Sequence, residues 1–167
     1  MIDIFRHNSW ATLRLLDFCR DLDPGLLDAT APGAYGSVKE TLAYLVGGEE
    51  VLAGIIEGVS SHGPPARYTS MDDLQERARW LAERWERSFE QEPHSERLVE
   101  RDRGDGERRL VRIGTVVAQA IHHGNHYRAQ VCMILSTVGM VAPALDGWSY
   151  GMWLSERGDR LRRRDAV

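Results

Sequence analysis

The sequence predicts an all-α fold, an antiparallel four-helix bundle, and three observations support this prediction. Apolar residues recur at helical spacing in four long segments, and helix start and stop signals separate those segments. The chain has 167 residues, of which 43% are hydrophobic and 28% are charged, the mixture of an ordinary globular protein. We therefore expect a single domain over residues 1–167, with a polar tail from about residue 156.

The first two helices have clear boundary signals. Helix one has an apolar stripe at helical spacing and is expected to end at Asp23-Pro24-Gly25. Helix two is expected to begin at Ser37, because Ser37 and Glu40 can form a capping box, and to end near Gly58. Its Gly47-Gly48 pair costs about 1 kcal/mol per glycine relative to Ala inside a helix. Close packing or a site is therefore expected to require small residues there.

The next segment combines a helix and a hairpin. Ser70-Met71-Asp72-Asp73 predicts the start of helix three, and Pro93 predicts its end. Leu98-Val99 and Leu110-Val111 then flank a charged stretch containing Asp105-Gly106, a favoured hairpin-turn pair. The pattern predicts a short β-hairpin before the last long helix.

The last part of the chain is again helical. Helix four is predicted from about Thr115 to Thr137, and Gly139 is its stop signal. After Pro143, the segment Asp146-Gly147-Trp148-Ser149-Tyr150 predicts a short, aromatic-rich C-terminal helix, followed by the polar tail.

Charge and cysteine usage exclude several classes of partner. With 21 Lys and Arg against 25 Asp and Glu, the formal net charge of −4 gives no field that attracts a phosphate backbone, so nucleic acid is not expected. No stretch approaches ~18 uncharged apolar residues, so a membrane is not expected either. Cys19 and Cys132 form no C-x-x-C pair, and buried free thiols indicate a reducing cytoplasm.

Helix four concentrates histidines. Residues four apart share a helix face, so His122 pairs with His126, and His123 with Tyr127. His123 and Tyr127 continue the apolar stripe and are expected to point into the bundle, whereas the other pair lies on a side face. The residues alone leave two interpretations open, a metal site or a pair of surface or hydrogen-bonded histidines.

Four motifs, in order along nearly the whole chain, resemble the DinB/YfiT-like family. They are Phe5-Arg6-His7-Asn8-Ser9-Trp10-Ala11, Tyr35-Gly36-Ser37, the block from Gln119 to Gln130, and Leu145-Asp146-Gly147-Trp148-Ser149-Tyr150-Gly151. The resemblance implies a four-helix bundle, usually dimeric. It also implies a divalent metal such as nickel or zinc, held by one histidine of helix two and two of the last long helix.

The same resemblance places the three ligand positions at Tyr44, His123 and Tyr127. The pattern N-H-x-x-x-H-R-x-Q puts its first histidine on His123 and its second on Tyr127, and the helix-two histidine falls on Tyr44. A phenol has a pKa of ~10 and must lose its proton to become a strong ligand, so nickel or zinc is expected to bind weakly or not at all. Three further histidines are secondary candidates that would reach this site only from another helix face: His126, His122 and His7.

Two functions follow from these positions. The first is a metal-poor binding or structural module, with a bundle-core pocket, lined by Tyr44, His123 and Tyr127, that would take a small molecule. The alternative is a metal-dependent enzyme of the thiol-transferase, isomerase or hydrolase type, with an open position on the metal.

A homodimer is expected in either case. The resemblance implies pairing along the first and last long helices, where Trp10 and Ile121 are expected on exposed faces. The aromatic segment with Trp148, Tyr150 and Trp153 is also compatible with protein binding, although such aromatics more often cover a core.

Overall fold

Five α-helices and one β-hairpin make up the described part of this computed structural model, which covers residues 2–59, 67–90, 96–102 and 107–164. A 3-10 turn, Pro24–Asp28, follows the first helix. The elements in chain order are α1 (Ile2–Arg20), α2 (Val38–Glu57), α3 (Met71–Glu90), β1 (Leu98–Asp102), β2 (Arg108–Arg112), α4 (Ile113–Thr137) and α5 (Gly147–Arg164). The predicted all-α bundle with a hairpin before its last long helix is confirmed. Within the described ranges, no helix is long and apolar enough to cross a membrane.

Local boundary signals act as the sequence predicts. Ser37 and Glu40 form the capping box of α2, and Gly58 ends that helix in the left-handed conformation, with φ of 73°. In the hairpin, Val99 pairs with Val111, and the Val99 side chain is buried. The predicted stop at Pro93 and the predicted turn at Asp105-Gly106 lie outside the described residues.

The first and third helices form an antiparallel pair. Arg6 bonds to Glu86 at 2.7 Å, and Arg20 bonds to Gln75 at 3.1 Å, so residue numbers rise along α1 as they fall along α3. The core between them is aromatic. Phe5 lies 4.5 Å from both the Trp85 and the Phe89 ring, centroid to centroid, and burying each such side chain stabilises the fold by about 1.5–3 kcal/mol.

The second and third helices instead run parallel. Arg77 pairs with Glu50 and Arg84 pairs with Glu57, each through a guanidinium nitrogen within 2.8 Å of a carboxylate oxygen. The last long helix, α4, packs antiparallel to α2, because Tyr44 faces Tyr127 while Gly48, one turn later in α2, faces His123, one turn earlier in α4.

The C-terminal helix is longer than the short element expected. Asp146 accepts hydrogen bonds from the backbone N–H groups of Trp148 and Ser149, and the helix then continues through the segment expected to be a polar tail as far as residue 164. It lies over α1, where Tyr150 packs on Trp10 at 5.4 Å, ring centroid to ring centroid. Trp10 is only 8% exposed. Its predicted place on an exposed face is therefore wrong, because α5 covers it.

Candidate functional site

The three predicted ligand positions lie together where α2 packs on α4. The ring of Tyr44, on α2, lies 5.8 Å from the His123 ring and 4.8 Å from the Tyr127 ring, both on α4. The His123 and Tyr127 ring centroids are 4.7 Å apart. One turn of α4 separates His123 from Tyr127, and the antiparallel crossing brings Tyr44 opposite both. We call these three side chains the aromatic cluster.

His123 is a buried, neutral imidazole. Its Nε2 lies 3.0 Å from the backbone carbonyl oxygen of Leu45, which can only accept, so Nε2 carries the proton and Nδ1 is left as an acceptor. Burial is the main influence on the His123 pKa and lowers it, outweighing the hydrogen bonds to the α2 backbone, which raise it. The ring is thus fixed in one tautomer by the backbone of α2.

Gly48 makes room for this histidine. A Cβ atom at Gly48 would lie 2.2 Å from Cε1 and 2.4 Å from Nε2 of His123, far inside van der Waals contact. The expectation that close packing requires a small residue in the Gly47-Gly48 pair is confirmed at Gly48. The glycine lets the imidazole approach the α2 backbone closely enough to bond Leu45.

The two tyrosines are linked to each other and to a third. Burial raises the pKa of the Tyr127 hydroxyl, and the nearby Tyr44, to which it is hydrogen-bonded, raises it further. Tyr35, which the sequence analysis did not select, stacks on Tyr44 at 4.2 Å and meets the Tyr127 ring edge-on at 6.0 Å, both between ring centroids. Tyr35 lies just before the α2 cap, in Tyr35-Gly36-Ser37, and this position in the sequence could have indicated that it belongs to the site. The Tyr127 phenol is therefore protonated at neutral pH.

Nickel and zinc do not fit this donor set. His123 offers only Nδ1, because its Nε2 proton faces a carbonyl, and the protonated Tyr127 phenol is not a strong ligand for these ions. In the described part of the chain, no three His, Cys, Asp or Glu side chains are close enough together to share a metal ion.

The secondary candidates lie outside the aromatic cluster, although His126 borders it. His122 and His126 are exposed on the side face of α4, with ring centroids 5.9 Å apart, and His126 accepts a hydrogen bond from Gln130 at 2.7 Å. His126 also touches Tyr127 edge-on, at 4.9 Å between centroids. His7 lies under α5, where a ring nitrogen donates to the Leu145 carbonyl oxygen at 2.8 Å. The predicted position of His122 and His126 on a side face of α4 is confirmed.

A buried polar cluster, which sequence reasoning missed, lies between α1, α2 and α4. Asn8 donates to Glu49 at 3.0 Å, and Arg128 donates to the Thr12 hydroxyl at 2.8 Å and to the backbone oxygen of Asn8 at 3.2 Å. Arg128 and Glu49 approach to 4.0 Å, and both are nearly inaccessible to solvent. Burial raises the pKa of Glu49 and lowers that of Arg128, and their mutual attraction opposes both shifts. In the sequence, the charged residues Glu49 and Arg128 interrupt the apolar stripes of α2 and α4, and this was the signal that could have revealed the cluster.

Comparison with known proteins agrees with this architecture. The sequence profile of the DinB family matches residues 1–159. The crystal structure of a DinB-like protein from Bacillus cereus ATCC 10987 is similar in fold, with a TM-score of 0.63 and 18% sequence identity, covering 83% of this chain and 91% of that one. A search of curated proteins found no match. Because the family profile extends over nearly the entire sequence, the chain belongs to the DinB family.

Proposed function

We propose that this DinB-family protein is a metal-poor binding or structural module, in which the aromatic cluster fills the volume that a three-histidine metal centre would occupy. The observation that carries the proposal is the packing of Tyr44 and Tyr127 around a His123 imidazole that is already hydrogen-bonded to Leu45. Aromatic rings and hydroxyls then stabilise the α2–α4 contact that a metal would otherwise hold together.

The chemistry of the three groups supports this proposal. Binding a divalent ion would require His123 to give up its bond to Leu45 or to use Nδ1, and would require Tyr127 to ionise against a raised pKa. Nδ1 of His123 remains available to an ion, so the main obstacle to binding is Tyr127, whose raised pKa favours the protonated hydroxyl.

An open cleft beside the cluster offers a place for a small molecule. It has a volume of about 740 Å³ and is bordered by Tyr35 and Tyr44 together with Lys39, Arg67 and Tyr68. That volume lies within the range of ligand sites, roughly 300–1,000 Å³. Tyr44 thus lines the cleft, whereas His123 and Tyr127 are not among the residues that border it.

The test is metal content followed by reconstruction of the site. We expect the untagged protein to hold well under one equivalent of nickel, zinc or iron per chain by elemental analysis; iron is included because phenolates favour hard cations. The Tyr44→His, Tyr127→His variant should bind nickel or zinc near one equivalent, with His123 as third ligand. At a hundredfold excess over the dissociation constant, binding should stabilise it by ~2.7 kcal/mol. Each single variant should gain less.

Two controls make the result specific. Tyr44→Phe with Tyr127→Phe keeps the rings without adding imidazoles and should gain no metal. His122→Ala with His126→Ala removes the exposed pair, and should leave the metal binding of the reconstructed site unchanged. Stoichiometric metal in the natural protein that disappears on His123→Ala, in a variant that retains its helical circular dichroism, would favour the alternative, a metal-dependent thiol transferase, isomerase or hydrolase.

A further inference from the structure

A groove of about 580 Å³ lies between α1, α3 and α5. This volume is also that of a typical small-molecule site. Phe5 and Trp85, which are fully buried, contribute to its floor. Leu13 and Leu154 add aliphatic surface, so the floor is apolar.

Three aromatic side chains line the groove on its α1 and α5 sides. Trp10 of α1 and Tyr150 and Trp153 of α5 lie with ring centroids 5.4–6.2 Å apart. Burial raises the pKa of the Tyr150 hydroxyl, so this group is neutral at physiological pH. An apolar or aromatic molecule could therefore lie in the groove in contact with several rings.

The acidic groups at the groove are already engaged. Glu86 accepts two hydrogen bonds from Arg6, at 2.7 and 3.0 Å, and Asp17 accepts one from Gln75 at 2.7 Å. Glu83 lies 3.9 Å from Arg87. Glu86 and Glu83 therefore each have an arginine partner, and Asp17 has a hydrogen-bond donor.

Two arginines at the same groove are differently placed. Arg14 lies over the Trp10 ring at 5.4 Å from its centroid, and Arg157 lies over the Trp153 ring at 4.7 Å. Within the described residues, neither guanidinium forms an ion pair with a carboxylate. The cation–π contact with indole holds each guanidinium in place and leaves its N–H groups open to an anion.

We propose that this groove binds an amphipathic organic anion, an apolar or aromatic body carrying a carboxylate or a similar acidic group. The body would lie against Leu13 and the rings of Tyr150 and Trp153, and Arg14 and Arg157 would bind the acidic group. This site is independent of the proposal for the aromatic cluster, because it shares no residue with it.

Two fluorescent probes of nearly the same shape test the proposal on the full chain. 8-Anilino-1-naphthalenesulfonate carries the negative charge, and N-phenyl-1-naphthylamine lacks it. We expect one sulfonate probe to bind per chain to the folded protein, which should still unfold cooperatively with the probe present. Arg14→Gln with Arg157→Gln should weaken the sulfonate about tenfold or more, since charge-assisted hydrogen bonds are lost, and should change the neutral probe less than about twofold.

The control variant Arg79→Gln with Arg101→Gln removes the same charge from exposed positions that do not line the groove, and should leave both probes unaffected. Ala82→Phe, which adds a ring at the groove, should weaken both probes. The proposal is overturned if the sulfonate does not bind, or if the arginine variants weaken the two probes equally. It is also overturned if sedimentation shows that the probe separates a dimer, because a second copy would then be the occupant.

Discussion

Gly48→Ala tests whether the close approach of α2 to His123 shapes the site. The new Cβ would lie 2.2 Å from the ring, against an ordinary contact distance of at least 3.4 Å, so the imidazole must move by about 1 Å. That movement strains or breaks the bond to Leu45, worth about 1 kcal/mol, and overpacking adds about 1–3 kcal/mol. Alanine regains about 1 kcal/mol of helix propensity. We therefore expect a net loss of about 1–3 kcal/mol in the free energy of unfolding.

The measurement is urea denaturation followed by circular dichroism. Gly151→Ala is the matched control, because a Cβ there meets nothing within 4 Å; it should leave the protein as stable or stabilise it by up to about 1 kcal/mol. In a His123→Ala background the Gly48→Ala cost should disappear, since the clashing ring is gone. A Gly48→Ala variant as stable as its Gly151→Ala counterpart would refute the reasoning, as would a cost that persists without His123.

Three further outcomes follow from buried groups. Because burial lowers the pKa of folded His123 below its ordinary 6.5, the unfolded chain binds this proton more readily, so stability should fall as pH drops from 7 to 5. His123→Gln should flatten that slope in denaturation curves, and His122→Gln should not. Glu49→Ala should cost about 3–5 kcal/mol by leaving the Arg128 charge buried and uncompensated, whereas Glu50→Ala, at a partly exposed pair, should cost less than about 1 kcal/mol. Burial raises the pKa of the Cys19 thiol to about 12, so Ellman's reagent should label Cys19 only after denaturation.

Helix boundaries could be predicted from the sequence because their causes are local. The capping box needs only Ser37 and Glu40, and the end of α2 needs only Gly58. The pairing of His123 with Tyr127 follows from helical geometry, whereas Tyr44 came from the family resemblance, which places the helix-two ligand at that position. The high cost of glycine in a helix pointed to Gly48, although not to the ring that it accommodates.

What the sequence could not predict depends on contacts distant along the chain. The local sequence gives Trp10 the pattern of an exposed aromatic, because the helix that covers it, α5, lies more than a hundred residues later in the chain. The parallel run of α2 and α3 depends on how the chain crosses between them, which periodicity does not encode. Asn8 and Arg128 are partners because α1 lies beside α4, and this contact cannot be read from either helix alone.

The two polar sites of the bundle have a common physical basis in helical glycines. Gly48 of α2 makes room for His123, and a Cβ at Gly124 of α4 would lie 2.3 Å from Asn8 Oδ1 and 2.8 Å from an Arg128 nitrogen. Each glycine costs about 1 kcal/mol of helix propensity, and each burial of polar groups adds a desolvation cost. A fold selected for stability alone would fill both positions with aliphatic residues. His123 faces α2 on one side of α4, and Arg128 faces α1 on the other. This polar interior is therefore better explained by specificity or function than by stability.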